Sequence, residues 1–219
     1  MINQILDEIL ENISWRLEEV RQYDSIINSL TSIDNESYDM QVSLLLRSAI
    51  PMVYAHWEGF VVSTLNKLFT YLNSLELGSI QYCHNYLTTA YEQSLQSLVD
   101  SKNFDKRKKH LINLYNNFST QVKFNKKIDT KSNLTFSVLQ EICLKVNLDD
   151  TKFNEYKIEL DKLVNIRNSI AHGDVQSNIF TEFKDIEQYI DLLEALMLDF
   201  NNEIQLILEK QKYLKEKND

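Results

Sequence analysis

Glycine and proline are nearly absent: three Gly and one Pro in 219 residues. Tight turns draw on both residue types, so this scarcity argues against a β-rich chain and for an all-α one. Gly59, Gly78 and Gly173 also lie too far apart to write a Walker A loop or a Rossmann fingerprint. The two cysteines, Cys83 and Cys143, show no metal-ligand or redox spacing and read as small core residues in a reducing cytosol. There is no HExxH, no Cys/His cluster and no spaced carboxylate set beyond Asp149 and Asp150. The expectation is therefore chemistry without metal or cofactor. No apolar run reaches the ~18 residues of a membrane span. The opening MINQILDEILEN is acidic and amphipathic, unlike a signal peptide, so a cytoplasmic location is expected.

What is present is ordinary soluble-protein material, 43% hydrophobic and 25% charged. The length suits one domain over 1–219, with the segment 181–219 as a long C-terminal helix that can extend beyond the core. Net charge is −9, an unpromising balance for a nucleic-acid partner. It is unevenly spread. From Lys102 to Lys131, nine Lys or Arg against Asp105 and Asp129 leave +7, and the rest of the chain carries −16. Lys106, Arg107, Lys108, Lys109, Lys126 and Lys127 are thus candidate RNA contacts, the alternative being a solvated lysine-rich linker.

Helical periods run through most of the chain. Ile5, Leu6, Ile9, Ile13, Leu17, Val20 and Ile27 mark a first helix over 3–30, and a second runs from about Tyr38 to Leu75. Pro51 lies inside the second and predicts a kink or break near 47–51. Beyond it, Tyr54, Trp57, Val61, Leu65 and Leu68 form an apolar stripe. His56 and Glu58 have two open readings: polar residues packed beside a core Trp, or a functional one in which Glu58 or Arg47 assists the site. Two further helices are expected within 79–131, where tyrosines either stack on bases or fill the core. His84 and His110 have no partner at a ligand spacing. A helix from about Thr135 to Val146 follows the polar loop 129–133, and a long one from Lys152 to His172 follows Asp149 and Asp150. Residues 181–217 keep an alternating three-and-four spacing over Phe183, Ile186, Ile190, Leu193, Met197, Phe200, Ile204 and Ile207. The second half of that helix is left to bind a partner chain or fray.

The stretch LDKLVNIRNSIAHG, Leu160 to Gly173, is the most informative. Arg167 sits within an apolar helical stripe, three and four residues from Leu163, Val164, Ile170 and Ala171. A buried guanidinium stays charged and calls for an acidic or anionic partner. His172 follows five residues later, and Gly173 ends the helix, freeing the imidazole to swing back toward the Arg. A fixed cation beside a side chain that titrates near neutrality suits phosphodiester chemistry. Asn168 can orient either group or a substrate.

The string RNSIAHG resembles the Arg-x4-6-His motif of the HEPN superfamily (higher eukaryote and prokaryote nucleotide-binding domains). The stretches IPMVYAHWEGF (50–60) and SNLTFSVLQEI (132–142) are similar to blocks of a bacterial HEPN subfamily. The resemblance implies an all-α, HEPN-like helical bundle with the motif at a helix end. It also implies a metal-independent endoribonuclease of a toxin–antitoxin or phage-defence system, with Arg167 and His172 catalytic. Arg47, Asn168 and Glu58 would support them, in a site shared across a homodimer. RNA and an antitoxin or other defence protein are the implied partners. Gly173-Asp174-Val175 follows the His where one HEPN branch has a tyrosine, so tyrosine modification does not carry over. The rival reading is a non-catalytic helical dimerisation or adaptor module.

Overall fold

A computed structural model describes residues 1–31, 36–125, 128–173 and 184–215. Among them the chain is all-α, with no strand and only two isolated bridges, Gly78 to Gln121 and Tyr82 to Leu214. No helix of the described residues is long and apolar enough to cross a membrane.

The first helix, α1 (Ile2–Thr31), buries the stripe the sequence marks: Ile9, Ile13, Leu17, Val20 and Ile27. It lies against α2 (Glu36–Ser74), the longest helix and the centre of the bundle. Ile50, Val53, Tyr54, Trp57, Phe60, Val61, Leu65, Leu68 and Leu72 of α2 are all buried. Such a spread is apolar on several sides, as expected of a helix enclosed by neighbours. Here α1, α6 and α7 are those neighbours.

Of the kink or break expected at Pro51, the break is absent: α2 is helical without interruption through it. An internal proline costs about 3 kcal/mol. Burial of Ala49, Ile50 and Val53 on either side offsets it. Beside the proline, Tyr23 Oη of α1 donates to Leu45 O at 3.2 Å and ties the two helices together.

Two helices form a hairpin at the edge, α3 (His84–Asp100) and α4 (Phe104–Phe118). Asn103 caps α4 by accepting from the amides of Asp105 and Lys106. Lys106 to Lys109 therefore lie on a helix rather than in a linker. Next comes α5 (Phe136–Lys145), capped twice: Thr135 Oγ1 accepts from Val138 N, and Asp161 Oδ1 accepts from Phe136 N at 2.8 Å. The long motif helix expected from Lys152 is in fact a 3-10 segment, Asp150–Tyr156, followed by α6 (Lys157–Ala171). Asp149 starts the 3-10 turn by accepting from the amide and hydroxyl of Thr151. That local competition for the backbone tightens the entry.

The last helix, α7, spans Lys184–Lys210. Its second half does not stand free: Phe200, Ile204, Ile207 and Leu208 are buried. Phe200 meets Trp57, Phe60 and Phe153 edge-on or tilted, with centroids 6.1–6.2 Å apart. After Gln211, in the left-handed region at φ 52°, the chain turns back. Tyr213 enters the core beside Tyr71, Tyr82 and Tyr86. Its carbonyl accepts from Cys83 N at 3.0 Å, and Lys215 N donates to Gln81 O at 2.9 Å. Phe183 lies outside the described residues.

Candidate functional site

Arg167 occupies the penultimate turn of α6, half-buried, with its Cζ 4.8 Å from the centre of the Tyr54 ring on α2. Its Nη1 donates to two amide oxygens, Asn168 Oδ1 at 2.8 Å and Asn133 Oδ1 at 3.2 Å. The partner expected for this Arg was an acidic or anionic one. Among the described residues no carboxylate pairs with it, and its neighbours are an aromatic face and two neutral amides. A cation held this way keeps its charge for a ligand.

Tyr54 is the hub. Its hydroxyl accepts from the amide of Leu134 at 2.7 Å, so the ring that supports Arg167 also holds the 128–135 loop. Glu58, one turn further along α2, lies beside the same hydroxyl and accepts from Thr130 Oγ1 at 2.5 Å. Burial above all pushes the Tyr54 phenol up. The Glu58 carboxylate adds to the shift, while the Leu134 amide and the Arg167 charge oppose it. Tyr54 therefore stays a neutral phenol at physiological pH. Between these two anchor points, Lys131 (φ 52°) and Ser132 (φ 64°) sit in the left-handed region. Two consecutive non-glycine residues there are strained, and together they deliver Asn133 to Arg167. Lys131 also pairs with Glu141.

His172 caps the C-terminus of α6: its amide bonds to Asn168 O at 2.9 Å, and Gly173 follows at φ 73° with its amide on Ile170 O. A Cβ at Gly173 would meet nothing within 4 Å, so the glycine answers to backbone conformation rather than to space. The imidazole is exposed and has no hydrogen bond to Arg167. Arg47 is half-buried two turns before Tyr54, on the same side of α2 as Tyr54 and Glu58 by the i, i+7, i+11 spacing.

His56 is separated from Glu58 by the helix itself. It faces α1, buried, with Nδ1 3.4 Å from Arg16 Nη1 and Nε2 3.5 Å from Glu19 Oε2. The Trp15 ring meets it edge-on at 5.6 Å, and Arg16 stacks over Trp15 at 4.4 Å. Burial first, and then the Arg16 charge, push the His56 pKa down, against the pull of Glu19. Gly59 belongs to this contact too, since a Cβ there would stand 3.1 Å from the Arg16 guanidinium.

Lys106, Arg107, Lys108 and Lys109 are exposed on α4, which packs chiefly on α3 and not on the elements around Arg167. Arg107 is engaged locally, donating to Ser101 O at 2.8 and 3.1 Å. Lys126 and Lys127 lie outside the described residues. Tyr82, Tyr86 and Tyr91 are core residues rather than a stacking face, whereas Phe104 and Tyr115 on α4 are largely exposed. Cys143 is buried with its thiol pushed up to about 12, and both cysteines are free. Among the described residues, no three His, Cys, Asp or Glu gather as metal ligands.

Tyr54, Thr130, Asn133 and the Leu134 amide are the site members that the periodic reading passes over, because Tyr54 counts there only as apolar. The requirement that an Arg in an apolar stripe find polar company was the signal that could have led to them. The three stretches that carry the family resemblance, 50–60, 132–142 and 160–173, supply Tyr54 and Glu58, Asn133 and Leu134, and Arg167 and Asn168. Stretches far apart in sequence thus meet at one guanidinium.

Comparison with curated proteins and with solved structures yields no match. The RiboL-PSP-HEPN family model, in contrast, matches residues 11–206, which takes in every group around Arg167 and His172. This chain is a member of the RiboL-PSP-HEPN family, a family of HEPN domains.

Proposed function

We propose that the protein is a metal-independent endoribonuclease that cleaves RNA by attack of the 2′-hydroxyl on the adjacent phosphate. The observation that carries this reading is Arg167, a cation braced by neutral groups five residues before an exposed His172. RNA cleavage of this kind needs a group to take the 2′-hydroxyl proton, a group to protonate the leaving 5′-oxygen, and positive charge on the phosphorane between them. His172 serves proton transfer, and Arg167 binds the phosphate through a bidentate fork. Asn168 orients the guanidinium. Glu58 acts through Tyr54 and Thr130, and Arg47 contributes positive charge along α2. One chain offers one such His and one such Arg, so a homodimer with both motifs in one cleft completes the site. The product carries a 2′,3′-cyclic phosphate.

Lys106, Lys108 and Lys109 are the proposed electrostatic contacts to RNA on α4, with Arg107, Lys126 and Lys127 in the same basic stretch. The biological setting we propose is a toxin or effector of a bacterial toxin–antitoxin or phage-defence system, held in check by a protein or RNA antitoxin. The family match supports ribonuclease or nucleotide-binding function at the coarser level.

The test is cleavage of total RNA and tRNA in EDTA by the wild type, His172→Ala and Arg167→Ala. Loss in both variants, with fold and oligomeric state unchanged, is the expected result. Cleavage that survives in both refutes the site. A second reading, a non-catalytic adaptor, is favoured by one feature: Phe104, Leu111, Ile112 and Tyr115 are exposed large apolar residues on α4. An adaptor would bind RNA without a phosphate-dependent salt slope, or not at all.

A further inference from the structure

We infer that Asn133 is a positioning residue for Arg167, and that the neutrality of its amide is what the site requires. This inference rests on the ribonuclease reading for its catalytic consequence, though not for its geometry. A guanidinium has five N–H donors in a planar fork. Here the amide oxygens of Asn168 and Asn133 both fall on Nη1, and the ring of Tyr54 covers one face. Among the described residues nothing else hydrogen-bonds the group, so the edge formed by Nε and Nη2 is left for a bidentate anion.

Asn168 is the next residue of the same helix and comes with Arg167 wherever α6 goes. Asn133 comes from elsewhere, and two hydrogen bonds and a strained turn bring it. Tyr54 Oη accepts from Leu134 N, Glu58 accepts from Thr130, and the loop between them passes through two left-handed residues. Backbone in that region persists only where surrounding contacts over-determine it. The loop is therefore fastened on both sides of Asn133, at 130 and at 134. Tyr54 fixes the loop with its hydroxyl and Arg167 with its face, so one side chain sets the distance between the two.

A carboxylate at 133 would hold Arg167 more firmly, and it would also offer the guanidinium an intramolecular anion in place of a phosphate. An amide fixes the fork without competing for its charge.

The experiment compares Asn133→Leu, which keeps shape and loses the acceptor, with Asn133→Asp, which keeps the acceptor and adds charge. Two readouts are used on the full-length protein, with unfolding midpoints checked first. The first is the Nε–H resonance of Arg167 in labelled protein, assigned by its disappearance in Arg167→Lys. It broadens or shifts in Asn133→Leu and persists in Asn133→Asp, while the signals of Arg16, Arg21, Arg47 and Arg107 stay put. The second is RNA cleavage. In Asn133→Leu kcat falls by up to about 100-fold with KM little changed, the signature of a misplaced group. In Asn133→Asp, KM rises and the salt dependence of RNA binding weakens. Wild-type cleavage by the Leu variant, or an unchanged Arg167 resonance in it, overturns the positioning role. Wild-type cleavage by the Asp variant overturns the requirement for neutrality. If the wild type cuts no RNA, the ribonuclease reading fails, and the resonance of Arg167 still decides whether Asn133 holds it.

Discussion

The hydroxyl of Tyr54 accepts a hydrogen bond from the backbone amide of Leu134, 2.7 Å away and 80 residues along the chain. Both residues are buried, so the amide has no water to turn to if the acceptor goes.

Tyr54→Phe therefore keeps the ring under Arg167 and strands a buried N–H. The expected loss is about 1–3 kcal/mol, read as a lower midpoint with unchanged slope in denaturant unfolding. Tyr54→Ala also opens a cavity and should cost about 3–5 kcal/mol. Equal stability of Tyr54→Phe and wild type would mean the amide finds another acceptor.

His172→Ala should behave differently, removing an exposed side chain at a helix end. Its stability should stay within about 0.5 kcal/mol of wild type, while cleavage is lost. A His172→Ala protein with a clearly lower midpoint would show that the imidazole supports the fold instead.

Gly173→Ala adds a methyl group with empty space around it, yet at φ 73°. The expected cost is about 1 kcal/mol, with Gly173→Asn milder because Asn tolerates the left-handed region. The converse holds in the loop: Ser132→Gly relieves strain at φ 64°. It should raise stability by up to about 1 kcal/mol, and at the same time loosen Asn133 and slow cleavage. Thermal unfolding of the two variants, side by side, checks both signs.

His56 yields a pH dependence. Its folded pKa lies below the ordinary 6.5, chiefly through burial, so the unfolded chain takes up a proton there more readily. Stability is then intact above about 6.5 and declines as pH falls through the interval between the unfolded and folded pKa values. His56→Gln should lose less stability than wild type between pH 7.5 and 5.5. A parallel decline in both proteins would assign the acid sensitivity to other groups.

The helices were legible because their apolar spacing answers to local geometry: the stripe from Ile9 to Ile27 is buried as spaced. Membership of the HEPN superfamily was legible from RNSIAHG. No break follows at Pro51, because proline's local cost competes with burial on several sides of α2, and burial wins. The free half of α7 misled because the heptad-like spacing of Phe200, Ile204 and Ile207 describes a packed seam without saying whose. Asn133 was out of reach for a different reason. Its place depends on a loop whose two fastenings come from a helix 70–80 residues earlier, and no local period encodes that.

Tyr213 gives the molecule a timetable. The aromatic pocket of Tyr71, Tyr82 and Tyr86 is lined by residues made early, but its last occupant is among the final residues described. Residue 213 is synthesised after every residue that lines that pocket, so the pocket's last ring arrives only once α7 has been made. A nascent chain therefore holds Arg167 and His172 before it holds a finished core, and an unfinished protein is structurally incomplete at the end of α7 until synthesis has passed that point.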